Sequence, residues 1–158
     1  MFTLSINAQN DIYEKTKTID STIEVLYDVI SGDKGVERDW DLFLNLFHKD
    51  AKLIPSGPNQ DSYGARFLSP QEYIDSSGKW LFENGFHEVG IKNTSEIFGN
   101  IAHVFSSYES FRSKSDKIPF MRGINSIQMM YDNKRWYIIN IFWMQESEKN
   151  QIPIKYLN

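Results

Sequence analysis

Cysteine is absent from the 158 residues, which excludes disulfides, thiolate nucleophiles and cysteine-ligated zinc. The compartment stays open, since a chain without thiols suits the cytosol and the periplasm equally. A basic excess is also missing. With 17 Lys and Arg against 21 Asp and Glu, a net charge of −4, the chain lacks the positive stripe by which nucleic-acid-binding domains meet phosphates. It also lacks the polybasic segment of a membrane-surface protein. No apolar run approaches the roughly 18 residues that a membrane-spanning helix needs. Histidine is scarce. The three present, His48, His87 and His103, share no metal-ligand spacing, so no metal is expected. No GxSxG, Walker or GxGxxG motif occurs, and nothing calls for a cofactor.

What the chain does have is apolar and aromatic weight, 41% and 15% of residues. Large rings need a core, a pocket or an interface to cover them. The length suits one domain with one core. We place that domain at residues 11–158. Residues 1–10 are either a frayed terminus or the end of a secretion signal cut after Ala8, so localisation is left open between cytoplasmic and periplasmic or secreted.

The first half reads as helices. Ile19, Ile23, Leu26, Tyr27 and Ile30 recur at helical spacing, with Ser21 and Glu24 as a capping box or a start nearer Asp11. Asp39 caps a second helix carrying Trp40, Phe43, Leu44 and Phe47 and ending at His48. A short strand, 51–54, and a turn-rich loop, 56–64, follow. Ser69-Pro70-Gln71-Glu72 then opens a third helix that stops at Gly85. From Phe86 the period changes to two. Strands are expected at 86–98, 101–112, 119–131 and 135–146, joined by turns too short for crossovers and hence antiparallel. The tail, 147–158, ends in apolar residues and is expected to dock.

Register follows from charge and alternation. Glu109 opposite Arg122 places His103 opposite Gln128. A two-residue turn at Asn133-Lys134 places Tyr131 opposite Trp136, Gln128 opposite Ile139 and Ile124 opposite Trp143. Neither resulting face is polar, and three helices cover only one. The second face calls for a partner, and a homodimer supplies one most simply.

Three segments carry a family resemblance: RDWDLFLNLFHKDAKLIP (Arg38 to Pro55), GNIAHVFSSYESF (Gly99 to Phe111) and RGINSIQMMYDNKRWYIINIFW (Arg122 to Trp143). Their order resembles the nuclear transport factor 2-like superfamily, which includes SnoaL-like cyclases, ketosteroid isomerase and scytalone dehydratase. The resemblance implies an α+β cone, N-terminal helices packed on a curved antiparallel sheet, with a pocket between them. It implies no particular reaction.

The candidate acid–base groups are Glu109, His103 and Asp41. Glu109 with Arg122 could serve as base and anion binder, or form an ordinary cross-strand ion pair. His103 could exchange a proton, or simply bond a neighbour such as Gln128. Asp41 fits a helical-layer acid and equally a helix-dipole partner. Arg122, Asn125, Gln128, Asn140, Trp40, Tyr27 and Trp143 are the candidate ligand contacts, since amides in apolar strands need partners. Two functions stay open. One is a pocket for a small apolar ligand, with cofactor-free isomerase, dehydratase or cyclase chemistry. The other is a non-catalytic dimeric ligand-binding or interaction module.

Overall fold

The computed structural model describes residues 11–158; the reading of residues 1–10 as a terminus or signal remnant lies outside them. Residues 11–15 make one helical turn. Helix α1 (Ile19–Ile30) starts at Thr18, whose hydroxyl accepts from the Ser21 amide while the Ser21 hydroxyl serves Thr18. The capping box thus sits one turn earlier than Ser21 and Glu24. Helix α2 (Trp40–Leu46) is capped by Asp39, as expected, but stops before Phe47. Strand β1 (Phe47–Asn59) begins at once, so His48 is a strand residue. The expected loop at 56–64 is instead a hairpin of β1 with β2 (Ser62–Ala65), turned at Gln60 with a positive φ of 51°. Its Gly, Pro and polar residues mark an exposed edge hairpin as readily as a loop. Helix α3 (Pro70–Asn84) has the expected Ser69–Glu72 capping box and ends at Gly85.

Strands β3 (His87–Phe98), β4 (Ile101–Phe111), β5 (Met121–Tyr131) and β6 (Trp136–Gln145) lie within two residues of their expected bounds. The sheet order is β2-β1-β6-β5-β4-β3. It is mixed rather than wholly antiparallel, because β1 runs parallel to β6. That pairing joins segments separated by a helix and four strands, so no short turn announces it.

Glu109 does face Arg122, and His103 faces Gln128. Tyr131 faces Trp136, but Gln128 faces Asn140 and Ile124 faces Met144. The register slips between Gln128 and Met129, leaving Ile139 as the extra residue of a bulge. Beyond it the two faces exchange, so Ile141 and Trp143 turn toward the helices and Asn140 and Phe142 turn away. Ile23, Leu26, Tyr27, Phe43, Leu53, Val104, Tyr108, Ile127 and Ile138 bury the core on the helical side. The tail docks on the opposite face. Tyr156 packs on Phe105, Lys92 holds the Lys155 carbonyl, and the Ile152 amide donates to Glu146. That strap covers part of the face assigned to a partner, while Phe142 stays 46% exposed.

Arg38 ties the helical layer together. Its guanidinium donates to the carbonyls of Ile30, Gly32, Val36 and Leu81, joining the end of α1 to the end of α3. A Cβ at Gly32 would lie 2.6 Å from the Arg38 guanidinium, so the close approach requires glycine. Arg38→Met should strand several buried carbonyls and cost roughly 3 kcal/mol, with Arg38→Lys restoring only part. Urea unfolding with an unchanged m-value reads the loss; a midpoint equal to wild type contradicts this account.

Candidate functional site

Between the helices and the inner face of the sheet lies a cavity of about 500 Å³, within the range of small-molecule sites. Its walls are largely apolar, with Leu26, Phe43, Leu53, Phe86, Ile141 and Trp143 among them. The polar exceptions carry the chemistry. Glu88 lines the cavity, as do Asn125 and the tyrosines Tyr27, Tyr73 and Tyr108.

Local sequence explains how Glu88 gets there. Gly85 ends α3 with a positive φ of 71°, and a side chain there would meet the Arg112 carbonyl at 2.5 Å. The chain turns directly into β3, and Glu88 falls opposite Ser110 of β4 on the inner face. One carboxylate oxygen accepts from the Asn125 amide at 3.2 Å, the other from the Ser110 hydroxyl at 3.3 Å. Burial pushes the Glu88 carboxyl up to about 7, and the bonds from Asn125 and Ser110 only partly oppose the shift. A protein carboxyl that titrates near neutrality can hold or release a proton under ordinary conditions.

Asn125 also donates to the Tyr27 hydroxyl at 3.1 Å. Tyr27 lies 2.6 Å from the Ser106 hydroxyl, which donates onward to Asn93 at 2.6 Å. This chain fixes the Asn125 amide, so its nitrogen faces the carboxylate. Tyr27 packs close on β3, and a Cβ at Gly90 would come within 3.1 Å of its ring. Tyr108 is 99% buried, its relative exposure being 1%. It lies over its cross-strand neighbour Gly123, where a Cβ would meet its hydroxyl at 2.5 Å. Among the described residues neither the Tyr108 nor the Tyr73 hydroxyl has a hydrogen-bond partner, and both residues line the cavity. Burial raises both phenols, with the nearby Glu88 charge adding to it, so both stay protonated donors.

Of the residues singled out in the sequence, Asn125, Tyr27 and Trp143 come together at this cavity. The acid–base candidates do not. Glu109 sits at a sheet end 3.7 Å from Arg122, whose shorter contact is with Glu146 at 2.7 Å. His103 lies on the outer face, its ring nitrogen 3.0 Å from the Ser126 hydroxyl, with Gln128 and Asn140 on the same side. Asp41 is exposed in the first turn of α2. Trp40 packs on Phe43 and against Gly78 of α3, outside the cavity wall. Glu88 itself escaped the sequence reading. Its one signal is parity: Phe86, Glu88 and Gly90 alternate, placing an acid on the side of a core phenylalanine. His87, also buried and 2.8 Å from Asp33, obscures that signal. Among the described residues no three His, Asp or Glu side chains cluster to hold a metal ion.

No protein-family model matches the sequence, and no curated protein matches it. Solved structures do match. A nuclear transport factor 2-like protein of unknown function from Pseudomonas putida aligns over 85% of this chain and 90% of its own, with 11% identity and a TM-score of 0.61. A candidate scytalone dehydratase from Novosphingobium aromaticivorans aligns over 82% of both chains, with 12% identity and a TM-score of 0.61. A candidate ketosteroid isomerase from Parabacteroides distasonis aligns over 85% of this chain and 98% of its own, with 13% identity and a TM-score of 0.55. At such identities the likeness shows the fold, which is the nuclear transport factor 2-like α+β cone.

The raised Glu88 carboxyl carries a stability signature. A folded-state value above the unfolded one means stability that is complete at low pH and lost as pH rises through about 7. Glu88→Gln should remove that loss, so the variant should gain on wild type between pH 5 and pH 8, by on the order of 2 kcal/mol at the upper end. Parallel unfolding curves for the two proteins across that range would show Glu88 to be an ordinary ionised carboxylate.

Proposed function

We propose that this protein binds a small, largely apolar molecule in the cavity and rearranges it by proton transfer, as an isomerase, dehydratase or cyclase does. The observation that supports this best is the Glu88 carboxyl, free of any ion pair among the described residues, on the wall of a largely apolar cavity that two unpartnered tyrosines also line; the other carboxylate of that wall, Glu146, is taken up by Arg122. In this reading the Glu88 carboxylate takes a proton from a carbon next to a carbonyl. The electron pair moves into a new carbon–carbon double bond, and the carbonyl oxygen becomes an enolate oxygen. Tyr108 and Tyr73 donate hydrogen bonds to that oxygen as its charge grows. Protonated Glu88 then returns the proton to another carbon, or to a departing hydroxyl. Asn125 holds the carboxylate in place, and Trp143 supplies apolar wall. The sequence of steps needs only groups already in the cavity. That neighbours of the same fold include a candidate ketosteroid isomerase and a candidate scytalone dehydratase is consistent with it.

A second reading, a dimeric binding or interaction module without turnover, is favoured by the apolar surface that remains uncovered. Phe142 on the outer face and Phe98 at the β3–β4 tip, 85% exposed, are large for a solvated sheet. In both readings a homodimer through the outer face is the expected assembly. Sedimentation should show a dimer that Phe142→Lys dissociates, and a wild-type monomer sinks that expectation.

Turnover is tested by incubating the protein with a panel of apolar cyclic ketones in deuterated water and following deuterium uptake by mass spectrometry. Wild type should exchange faster than Glu88→Gln by roughly 10²–10⁴-fold. Its rate should climb as pH rises through about 7, where the base loses its proton. Tyr108→Phe should slow exchange by roughly 10²-fold. If no ketone exchanges above the Glu88→Gln level, the non-catalytic reading stands.

A further inference from the structure

Three aromatic residues frame one side of the cavity: Trp80 on α3, Phe86 just before β3, and Phe120 just before β5. Their rings are in edge contact, with centroids 6.4 Å apart for Trp80 and Phe86 and 6.2 Å for Phe86 and Phe120. Trp80 and Phe120 are each 42% exposed, so this side is the way in rather than the interior. Between them stands Arg112. Its guanidinium carbon lies 4.4 Å from the Trp80 ring centroid and 4.0 Å from that of Phe120.

A cation flanked by two ring faces is oriented without using its N–H groups. Among the described residues the Arg112 guanidinium has no carboxylate or carbonyl partner, and the residue is exposed. The acid of the same loop is engaged elsewhere, since the Asp116 carboxylate accepts the backbone amides of Arg112 and Ser113. The two carboxylates of the cavity wall do not take it either, since Glu88 is held by Asn125 and Ser110 and Glu146 is paired with Arg122. A fixed guanidinium with a free edge is a receptor for a planar oxyanion. Its place beside an apolar cavity defines what would reach it.

We infer that Arg112 is the specificity-determining residue of this cavity, and that the ligand is an apolar molecule bearing one anionic group. The anion, a carboxylate or an oxyanion of similar size, seats on the free edge of Arg112. The apolar body lies along Trp80, Phe86 and Phe120 toward Glu88. This rests on the cavity being the ligand site, but not on the molecule being turned over.

Two fluorescent probes separate these layers. Anilinonaphthalene sulfonate and N-phenyl-1-naphthylamine share an aromatic skeleton and differ by the sulfonate. Wild type should bind the sulfonate more tightly, and added salt should weaken that probe alone. Arg112→Met should lose about tenfold in affinity for the sulfonate and leave the neutral probe within about twofold, with Arg112→Lys regaining part of the loss. Ser77→Trp, which places an indole in the cavity, should weaken both probes and so locates them. If both probes bind in the cavity and neither responds to salt or to Arg112→Met, the anion preference is wrong and the cavity reading survives. If wild type binds neither probe, or Ser77→Trp leaves both unchanged, the cavity reading falls and this inference with it.

Discussion

Glu88 reaches the inner face of the sheet with one oxygen bonded to Asn125 and the other to Ser110, and the surroundings are arranged about that burial. A carboxyl in an apolar cavity loses its hydration, so it must be bonded, neutralised or both. Here it is both, in part. Two neutral donors hold it, among the described residues no cation pairs with it, and its pKa rises to about 7. The Asn125 that steadies it is itself held by Tyr27, which ties α1 to the sheet, and Tyr27 bonds Ser106, which donates onward to Asn93. One hydrogen-bonded chain thus links the first helix to β3, β4 and β5. The helical layer cannot shift without disturbing the acid.

Space for that arrangement comes from glycine. Gly90 lets the Tyr27 ring lie against β3, and Gly123 lets the Tyr108 hydroxyl lie close against β5, where Tyr108 lines the cavity. On the other wall, Arg38 clamps the end of α1 to the end of α3 through buried carbonyls, holding the helices as a lid of fixed height. An empty volume of this size is otherwise unusual in a protein interior, where voids larger than a water molecule are few. It persists because the framework around it is braced by polar contacts rather than by packing alone.

The two faces of the sheet have different fates. The inner face is closed by helices except at the cavity. The outer face is crossed by the C-terminal strap, anchored by Glu146 at one end and by Lys92 and Ser107 at the other. Glu146 also pairs with Arg122, so the strand end at the cavity and the strap share one carboxylate. The ion pair anticipated between Glu109 and Arg122 exists at 3.7 Å, yet it is the weaker of the two and serves this framework.

Periodicity and punctuation determined a good deal. The switch from period 3.6 to period two after Gly85, the Ser69-Pro70-Gln71-Glu72 cap and the charge match of Glu109 with Arg122 placed α3, four strands and one register. Those are local or nearest-neighbour effects, and local chemistry leaves marks in sequence. The parallel pairing of β1 with β6, the bulge at Ile139 and the site were decided by the tertiary structure. The bulge shows why. One extra residue reverses every side chain after it, so Trp143 turned to the cavity side and Asn140 away, although alternation alone assigned them oppositely. Asn125 and Tyr27 were legible as polar groups on apolar elements. Glu88 was not, because an acid at the start of a strand looks like any solvated one. Only the helices folded over it, and the cavity left between them, turn an ordinary carboxylate into a half-buried, desolvated group able to hold a proton.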